Sequence, residues 1–379
     1  MNKKILILIL FPIILYAQDP SFSQIDLNSM YTNPAFASYE GNTKIMLHSR
    51  NQWNKINENF NNTLFEFSSR VDLNKNNKKL QTAWCYGIGL LTEDLVIFPE
   101  LGNSVFIEKQ ELYVMPFTLE MKITKNSYLS AAPMNITFRK YELKYENLVF
   151  SDMIDDFGNI YSLQSSSFNP DLYIHNNLVS DISSGIIYTR HGKYRSTKSN
   201  RFNIGISLHH LLNPIESFSG NNDEQAKLPN KITVHSELYS SIPKSKKPVI
   251  PYFRILFKHE TYAKQQEIIM NKTEFGSTIF FNRTNIEFGN LFRIIKNEST
   301  LPFFQTWIPI IRYRINNSNH LYILSYSYDG NISKSDQNLQ FTQTGHTHEI
   351  GISIYLSSGN KKNRTCAAFE DMSNNPLYQ

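Results

Sequence analysis

Alternation of apolar and polar residues with a period of two is the dominant pattern in this sequence. Such alternation is typical of a β-strand with one apolar and one polar face, because successive side chains point to opposite sides. The clearest runs cover residues 84–90, 117–123, 134–139, 202–208 and 349–356. Further strand-like runs cover residues 43–50, 62–71, 183–190, 231–241, 249–258, 275–282, 284–294, 303–314 and 320–329. No segment shows a long helical period, so the sequence predicts an all-β protein.

Polar connections separate these runs. "NKNNKK" at 74–79, "GNNDEQ" at 220–225 and "DGNISKSDQN" at 329–338 are rich in Asn, Asp, Gly and Ser, which favour turns and loops. No internal repeat of fixed period and no break in composition mark a domain boundary. The sequence therefore predicts a single β domain.

Two β architectures fit the alternation. A soluble sandwich turns its apolar faces inward, whereas a transmembrane barrel turns them outward to lipid and its polar faces to the lumen. Several runs approach the roughly 9–11 residues that a tilted bilayer-spanning strand needs. The 26 Phe and 21 Tyr residues would also supply the aromatic girdles of a barrel. These features favour an antiparallel transmembrane β-barrel of about 14 strands.

The first residues have the organisation of a secretory signal peptide. Lys3 and Lys4 precede an apolar run from Ile5 to Tyr16, and Ala17 offers a small residue for cleavage. This run is shorter than the roughly 20 residues that a membrane-spanning helix needs. We expect residues 1–17 to be a cleaved signal peptide, with an uncleaved N-terminal anchor as the alternative.

Charge and cysteine content narrow the class of protein. The formal charge of the whole chain is only +5, which gives no reason to expect a nucleic-acid partner. Cys85 and Cys366 are the two cysteines, too few for a disulfide framework. We expect both to be unpaired. After residue 17 no apolar stretch reaches 18 residues, so no transmembrane helix is expected.

Histidines are the only candidates for metal ligands. His346 and His348 are expected on the same face of a strand, a spacing that could supply half of a zinc site. The simpler interpretation is a hydrophilic barrel face or a loop–strand junction, and we favour it. His209 and His210 are adjacent in a strand pattern, so they are expected to point to opposite faces and not to bind one metal ion together.

Other catalytic patterns are absent from the sequence. There is no Gly-x-Ser-x-Gly elbow, no phosphate-binding loop and no paired-cysteine motif. Asp155 and Asp156 are adjacent acids of the kind that normally face solvent in a turn. The sequence therefore predicts no enzyme activity, no metal and no cofactor.

Several motifs together resemble the PorP/SprF family of the type IX secretion system of Bacteroidota. "QDPSFSQ" follows the signal peptide, and "NPAFA" and "RNQW" come after it. Residues 202–239 resemble the middle strands of the family with their His-Leu-x-x-Pro turn and Lys-Leu-Pro motif. "HEIGISIYL" at 348–356 resembles the last strand of the family, and "NRTCAAF" resembles its cysteine-bearing tail. These motifs are spread over most of the chain after residue 17.

The positions that carry this resemblance are expected to be structural rather than catalytic. They are Asp19, Pro20, Phe22, Asn33, Pro34, Ala35, Phe36, Gln52, Trp53, His210, Pro214, Leu228, Pro229, His348, Glu349 and Cys366.

The resemblance implies a non-enzymatic β-barrel in the outer membrane, in contact with its lipid. Members of the family cooperate in secretion of particular type IX cargo and hold cargo at the cell surface. Their cargo includes large adhesins with a type B C-terminal domain, serving gliding motility. One branch is linked to the periplasmic ring and motor components of the secretion system.

Residues 18–42 are expected to form an ordered segment before the first strand. Pro34 fixes its own φ angle and restricts Asn33, while Phe22, Tyr31 and Phe36 could pack in an interior. The hypothesis is a plug in the lumen or periplasmic mouth, and a flexible leader is the alternative. The barrel would then cover residues 43–357, and residues 358–379 would form a periplasmic tail. Two other functions stay open at this point: a channel for small solutes and a soluble exported β protein.

Overall fold

The computed structural model describes most of the chain between residues 20 and 356. The described ranges are 20–38, 43–52, 59–73, 82–97, 105–124, 126–144, 178–191, 200–216, 227–241, 251–264, 267–281, 284–297, 304–317, 320–331 and 346–356. Asp19, Trp53 and Cys366 of the motifs above lie outside these ranges, as do the predicted signal peptide and tail.

Antiparallel strands form a closed barrel in which each strand pairs with its neighbours in sequence, and β1 pairs with β14. The strands are β1 (Thr43–Gln52), β2 (Asn59–Asp72), β3 (Thr82–Ile97), β4 (Val105–Thr124), β5 (Ser127–Lys144), β6 (Val179–His191), β7 (Asn200–His209), β8 (Asn230–Ser241), β9 (Pro251–Lys264), β10 (Glu267–Phe281), β11 (Ile286–Asn297), β12 (Phe304–Asn317), β13 (His320–Asn331) and β14 (Thr347–Leu356). The predicted barrel of about 14 strands is confirmed, and the sandwich is excluded by the closure between β1 and β14.

β4 and β5 extend well beyond the runs predicted from alternation. The register between β4 and β5 shifts between Val114 and Phe117, and that between β5 and β6 shifts between Ala132 and Asn135. Pro116 and Pro133 lie inside these shifts, and proline cannot donate a ladder hydrogen bond. The bulges interrupt the alternation, so the sequence pattern shows only the part of each strand after its proline.

The two faces of the barrel wall have opposite polarity. On β14, Ile350 and Ile352 point outward and are 54% and 44% exposed, whereas Glu349 and Ser353 point inward and are fully buried. Other strands repeat this arrangement, with outward Leu, Ile and Phe and inward charged and hydroxyl side chains. An apolar exterior around a polar interior is the pattern of a barrel in lipid. It excludes the soluble exported protein considered above.

Aromatic side chains lie on the outer face near both ends of the strands. Trp84 and Tyr313 lie toward one end, and Trp307 lies toward the other. Their positions match the interfacial girdles of membrane barrels.

Residues 20–38, here called the luminal segment, lie inside the barrel. The segment contains a 3-10 turn at Ile25–Leu27, a short α-helix at Ser29–Thr32 and a second 3-10 turn at Pro34–Ser38. Its hydrogen-bonding partners come from strands on opposite sides of the wall, including Asp329 on β13 and the Ile186 carbonyl on β6. Within the described ranges, no helix is long and apolar enough to cross a membrane.

Candidate functional site: the filled lumen

Buried ion pairs cover the inner wall. One connected chain of charges joins β14 to β1, β13, β11, β10 and β9 around the barrel. It runs through Glu349, Arg50, Asp329, Arg293, Glu274, Lys258, Glu260 and Lys272. The acids and bases in this chain are equal in number. A buried charge is tolerated when it is paired and hydrogen-bonded, and each of these groups is.

The luminal segment joins this charge network at Ser23. The Ser23 amide donates to Oε1 and Oε2 of Glu349 at 2.9 and 3.1 Å. The Ser23 hydroxyl lies 3.1 Å from Oδ1 of Asp329, and Arg50 donates to that hydroxyl at 3.2 Å. All these groups are buried, so the hydrogen bonds are shielded from competing water.

Gln24 makes a second connection, on the adjacent part of the wall. Its Nε2 donates to the Ser327 hydroxyl at 3.0 Å, and its Oε1 accepts from Arg312 at 3.2 Å and from the hydroxyl of Ser325. Donor and acceptor of the carboxamide are therefore both satisfied by the wall.

Glu66 on β2 holds the helical part of the segment. Its carboxylate accepts the amides of Met30 and Tyr31 at 3.4 and 2.9 Å, and the hydroxyl of Tyr113 at 2.6 Å. Free amides at the start of a helix attract negative charge, so a carboxylate is a suitable partner. On the same part of the segment, Lys44 donates to the Ser29 hydroxyl at 2.8 Å.

An apolar cluster lies between the segment and strands β2, β3 and β4. Phe22, Met30 and Ala37 of the segment pack with buried wall residues. Those wall residues are Leu64, Ala83, Cys85, Leu91, Tyr113 and Met115. The inner wall is thus apolar where the segment covers it with apolar groups, in contrast to the charged wall of β9–β11.

Asn33 fixes the segment to the opposite side of the barrel. Its Nδ2 lies 3.3 Å from the Ile186 carbonyl oxygen on β6, 3.2 Å from that of Ile206 on β7 and 3.0 Å from Nε2 of His235. Its Oδ1 accepts the Ala35 amide at 3.0 Å, which sets the turn into the "NPAFA" motif. One carboxamide therefore contacts three neighbouring strands, β6, β7 and β8, and orders its own loop.

Wall glycines make room for three side chains of the segment. A Cβ at Gly351 would lie 2.3 Å from Cδ1 of Leu27, and one at Gly87 would lie 2.7 Å from Sδ of Met30. A Cβ at Gly185 would lie 2.1 Å from Oδ1 of Asn33. Leu27, Met30 and Asn33 are spaced three residues apart, so the segment projects a side chain into a glycine site at regular intervals.

His209 and His210 correct one prediction. Both side chains are buried in the interior rather than on opposite faces of a strand. β7 ends at His209, and His210 has a φ of 60°, a left-handed conformation that breaks the strand alternation. His209 Nε2 lies 3.1 Å from the Thr32 carbonyl oxygen, and His210 Nδ1 lies 2.7 Å from Oδ2 of Asp181.

His346 and His348 lie on one face, as expected, at the junction where the chain enters β14. Nδ1 of His348 lies 2.9 Å from the Tyr326 hydroxyl, and Nδ1 of His346 contacts the Tyr328 hydroxyl. Among the residues that the structure describes, no three His, Cys, Asp or Glu side chains are grouped to hold a metal ion.

The other signature positions fall into three places. Pro20, Phe22, Asn33, Pro34, Ala35 and Phe36 are buried parts of the luminal segment. Pro214, Leu228 and Pro229 are buried in the connection between β7 and β8, where the Leu228 amide donates to the Pro214 carbonyl at 2.9 Å. Gln52 accepts from Arg50 at 3.2 Å, beside Glu349. The motifs "RNQW" and "HEIGISIYL" are thus close together in the barrel.

The charged wall residues could not be recognised as a group from the sequence. Arg50, Glu66, Lys258, Arg293 and Asp329 occupy polar positions of alternating strands, like many exposed residues. The only indication in the sequence was the large number of acidic and basic residues at the polar positions of the predicted strands. So many charges would be unusual in the core of a sandwich.

The lengths of the connections distinguish the two ends of the barrel. At the end where β1 begins and β14 ends, β4–β5 and β12–β13 are joined by residues 125–126 and 318–319. The opposite end has the long connections 145–178 and 332–346. Outer-membrane barrels have short periplasmic turns and longer extracellular loops, which assigns the first end to the periplasm. Glu349 and Ser23 therefore lie toward the extracellular side.

The family model for "Type IX secretion system membrane protein PorP/SprF" matches residues 14–354, nearly the whole chain. The chain belongs to the PorP/SprF family. With its closed barrel and apolar outer face, this family member is an outer-membrane component of type IX secretion. PorP/SprF is not an enzyme family.

Solved membrane barrels are similar over most of the chain. The β domain of the Bordetella autotransporter BrkA has a TM-score of 0.42 and 9% identity, covering 84% of this chain and 99% of that one. A Pseudomonas aeruginosa FadL homologue has a TM-score of 0.42 and 10% identity, covering 86% and 93%. The CymD monoaromatic hydrocarbon channel has a TM-score of 0.41 and 10% identity, covering 90% and 95%. No curated protein matches the sequence significantly.

Proposed function

We propose that this barrel assists the export or surface anchoring of specific type IX cargo, such as a large adhesin with a type B C-terminal domain. In this role it works with periplasmic components of the secretion system. The luminal segment acts as a plug that closes the barrel to solutes.

The observation that carries this proposal is the occupied lumen in a member of a secretion family. The segment contacts β14 through Ser23, β2 through Tyr31 and the β6–β7 pair through Asn33. These contacts lie on different sides of the wall, so the segment bridges the interior rather than lying along one strand. A barrel filled in this way is better suited to holding a protein partner than to conducting solutes.

A solute channel is the second candidate, because a barrel of this size could enclose an aqueous path once the segment leaves. Barrels of about 8 strands are filled by side chains and those of 16–18 leave a channel, so this one lies between. The filled interior makes it the less favoured function.

Deletion of the gene, followed by comparison of surface proteomes and of solute uptake, tests the proposal. We expect one or a few large surface proteins to be lost and uptake to be unchanged, with the lost surface proteins restored by the intact gene in trans. A normal surface proteome together with altered uptake would replace the proposal with the channel.

A further inference from the structure

Part of the contact between the wall and the luminal segment is made to the backbone of the segment. Wall carboxylates accept the amides of Ser23, Met30 and Tyr31. The Phe22 carbonyl oxygen accepts from Nζ of Lys258 at 3.3 Å, and that of Thr32 accepts from the Ser207 hydroxyl at 2.7 Å. Backbone amides and carbonyls are common to all polypeptides, so this set of contacts is a general means of binding a peptide chain.

The same wall groups keep other partners when the segment is removed. Glu349 still pairs with Arg50, Lys258 still pairs with Glu274 at 2.7 Å, and Glu66 still accepts from Tyr113. Because Glu349 and Lys258 keep ionic partners and Glu66 keeps the Tyr113 hydroxyl, withdrawal of the segment does not leave these three groups without a partner. The lumen can therefore exist both with and without its own segment.

Side-chain sites add selectivity to these backbone contacts. The spaces beside Gly351, Gly87 and Gly185 each accept one side chain, at positions three residues apart in the segment. A short helical turn with medium-sized side chains at that spacing would fit the same sites. Phe36, whose ring stacks on His235 at 4.8 Å between centroids, occupies a further site beyond them.

We propose that the lumen is a polypeptide-binding site, occupied here by the chain's own segment, and that a segment of the exported cargo replaces it there. This inference rests on the proposed function, because it places the cargo-binding site on the inner wall. The occupant is a non-repetitive stretch of cargo polypeptide bound by its backbone to Glu66, Glu349, Lys258 and Ser207.

The short covalent connection between the luminal segment and β1 determines which cargo segments can compete with it. Only residues 39–42 separate the luminal segment from β1, so the segment is present at a high effective concentration, in the millimolar range for short linkers. A cargo segment free in solution competes poorly with it. A cargo held close to the barrel by the secretion machinery has a comparable effective concentration and can displace it.

A disulfide between positions 27 and 351 tests the exchange. The Leu27 Cγ lies 3.4 Å from an ideal Cβ at position 351. In a disulfide, the sulfur of one residue is about 3 Å from the Cβ of the other, so Leu27→Cys with Gly351→Cys fits. The oxidising periplasm favours formation of this bond, which locks the segment in the lumen.

Surface display of the protein that depends on this gene is the readout. We expect the oxidised double variant to lose display to the level of the gene deletion and to regain it when the bond is reduced, so that the reduced double variant is the control for the two substitutions themselves. Heat-modifiable migration on a gel shows whether the double variant is folded. A folded, oxidised double variant that displays its cargo normally would overturn the inference while leaving the gene's role in display intact.

Photo-crosslinking in the full-length protein provides an independent measurement. The Tyr113 ring lies 6.2 Å from the ring of Tyr31, so p-benzoylphenylalanine at position 113 reports on whatever fills this site. We expect crosslinks to residues 20–38 in resting cells and to the displayed protein during its secretion. Crosslinks to residues 20–38 alone, with the displayed protein being actively secreted, would contradict the exchange.

The two proposals fail in different ways. If gene deletion leaves every surface protein in place, the proposed function itself is wrong. If deletion removes a surface protein but neither the lock nor the crosslinker reports an exchange, only the luminal binding site is wrong.

Discussion

The backbone amide of Ser23 donates to both carboxylate oxygens of Glu349, a residue 326 positions later in the chain. The first described turn is thereby attached to the last strand of the barrel. Arg50 on β1 also pairs with Glu349, so a single carboxylate connects the luminal segment with both strands that close the wall.

Replacing Glu349 with Ala is expected to destabilise the folded barrel. The substitution removes the acceptor of the Ser23 amide and one of the two acidic partners of Arg50. Breaking a buried pair costs about 3–5 kcal/mol, and because Arg50 keeps Asp329 we expect the lower value in the free energy of unfolding. Urea unfolding, followed by heat-modifiable migration, measures it.

Glu142→Ala is the matched control for that change, because its carboxylate is half exposed and pairs only loosely with Lys140 at 3.6 Å. Exposed pairs contribute little, so this variant should unfold at the wild-type urea concentration. Equal stability of the two variants would show that the contact between Ser23 and Glu349 does not contribute to the free energy of unfolding.

Gly185→Ala is expected to displace Asn33 from its site. The new Cβ would lie 2.1 Å from Oδ1 of Asn33 and 3.2 Å from Cδ of Pro34, whose ring cannot rotate away. Overpacking of this kind costs about 1–3 kcal/mol. Protease sensitivity of the luminal segment in the purified barrel is the measurement, and we expect it to increase.

A second substitution distinguishes this clash from a general effect on β6. Asn33→Ala removes the clashing carboxamide, so the double variant should be less sensitive to protease than the sum of the single changes implies. Gly330→Ala, whose Cβ would lie 3.2 Å from the ring of Tyr328, should have little effect on the segment. Purely additive behaviour of the two changes would argue against the contact.

Deletion of residues 20–38 is expected to produce ion conductance in planar bilayers. The full-length barrel should conduct poorly, since the segment bridges the lumen between β2, β14 and the β6–β7 pair. Replacing residues 20–38 with a Gly-Ser linker of equal length controls for chain length, and it too should conduct. Unchanged conductance in a folded deletion variant would disprove the plug.

Ile352→Arg is expected to destabilise the protein much more than Ile123→Arg. Both side chains point outward, but Ile352 lies at the centre of β14 and Ile123 lies at the end of β4. Arginine costs about 2–4 kcal/mol at the midplane of a bilayer and about 0–1 kcal/mol near the interface. Refolding into lipid vesicles measures both, and equal effects would mean that the apolar band is not centred on these strands.

The strands were predictable because each depends mainly on the local alternation of its residues. Outside β4 and β5, the predicted runs match strands of the barrel and differ from them only in their ends, as in β7, where the pattern at 202–208 lies inside Asn200–His209. Alternation fails where the backbone departs from the regular pleat. Pro116 and Pro133 lie at bulges that interrupt the alternation, so the part of β4 and β5 before each proline is not recognisable from the pattern. The left-handed φ of His210 turns its side chain into the barrel.

The contacts of the lumen were not predictable in this way. Glu66, Lys258 and Glu349 look like ordinary polar positions of alternating strands, and nothing local distinguishes an inward charge from an exposed one. Their roles depend on register between distant strands and on a segment from the other end of the chain. The "NPAFA" motif did indicate order around Asn33, but not the carbonyl groups of Ile186 and Ile206 that it contacts.

The attachment of Ser23 to β14 has a consequence for biogenesis. The wall closes when β14 pairs with β1, and Glu349 and Arg50 are opposite each other in that pairing. If the N-terminal residues are outside the barrel at that moment, they have to enter it afterwards through one of its ends. The contacts of Ser23 with Glu349 therefore favour enclosure of the luminal segment while β1 and β14 pair, so that the barrel is filled as it closes.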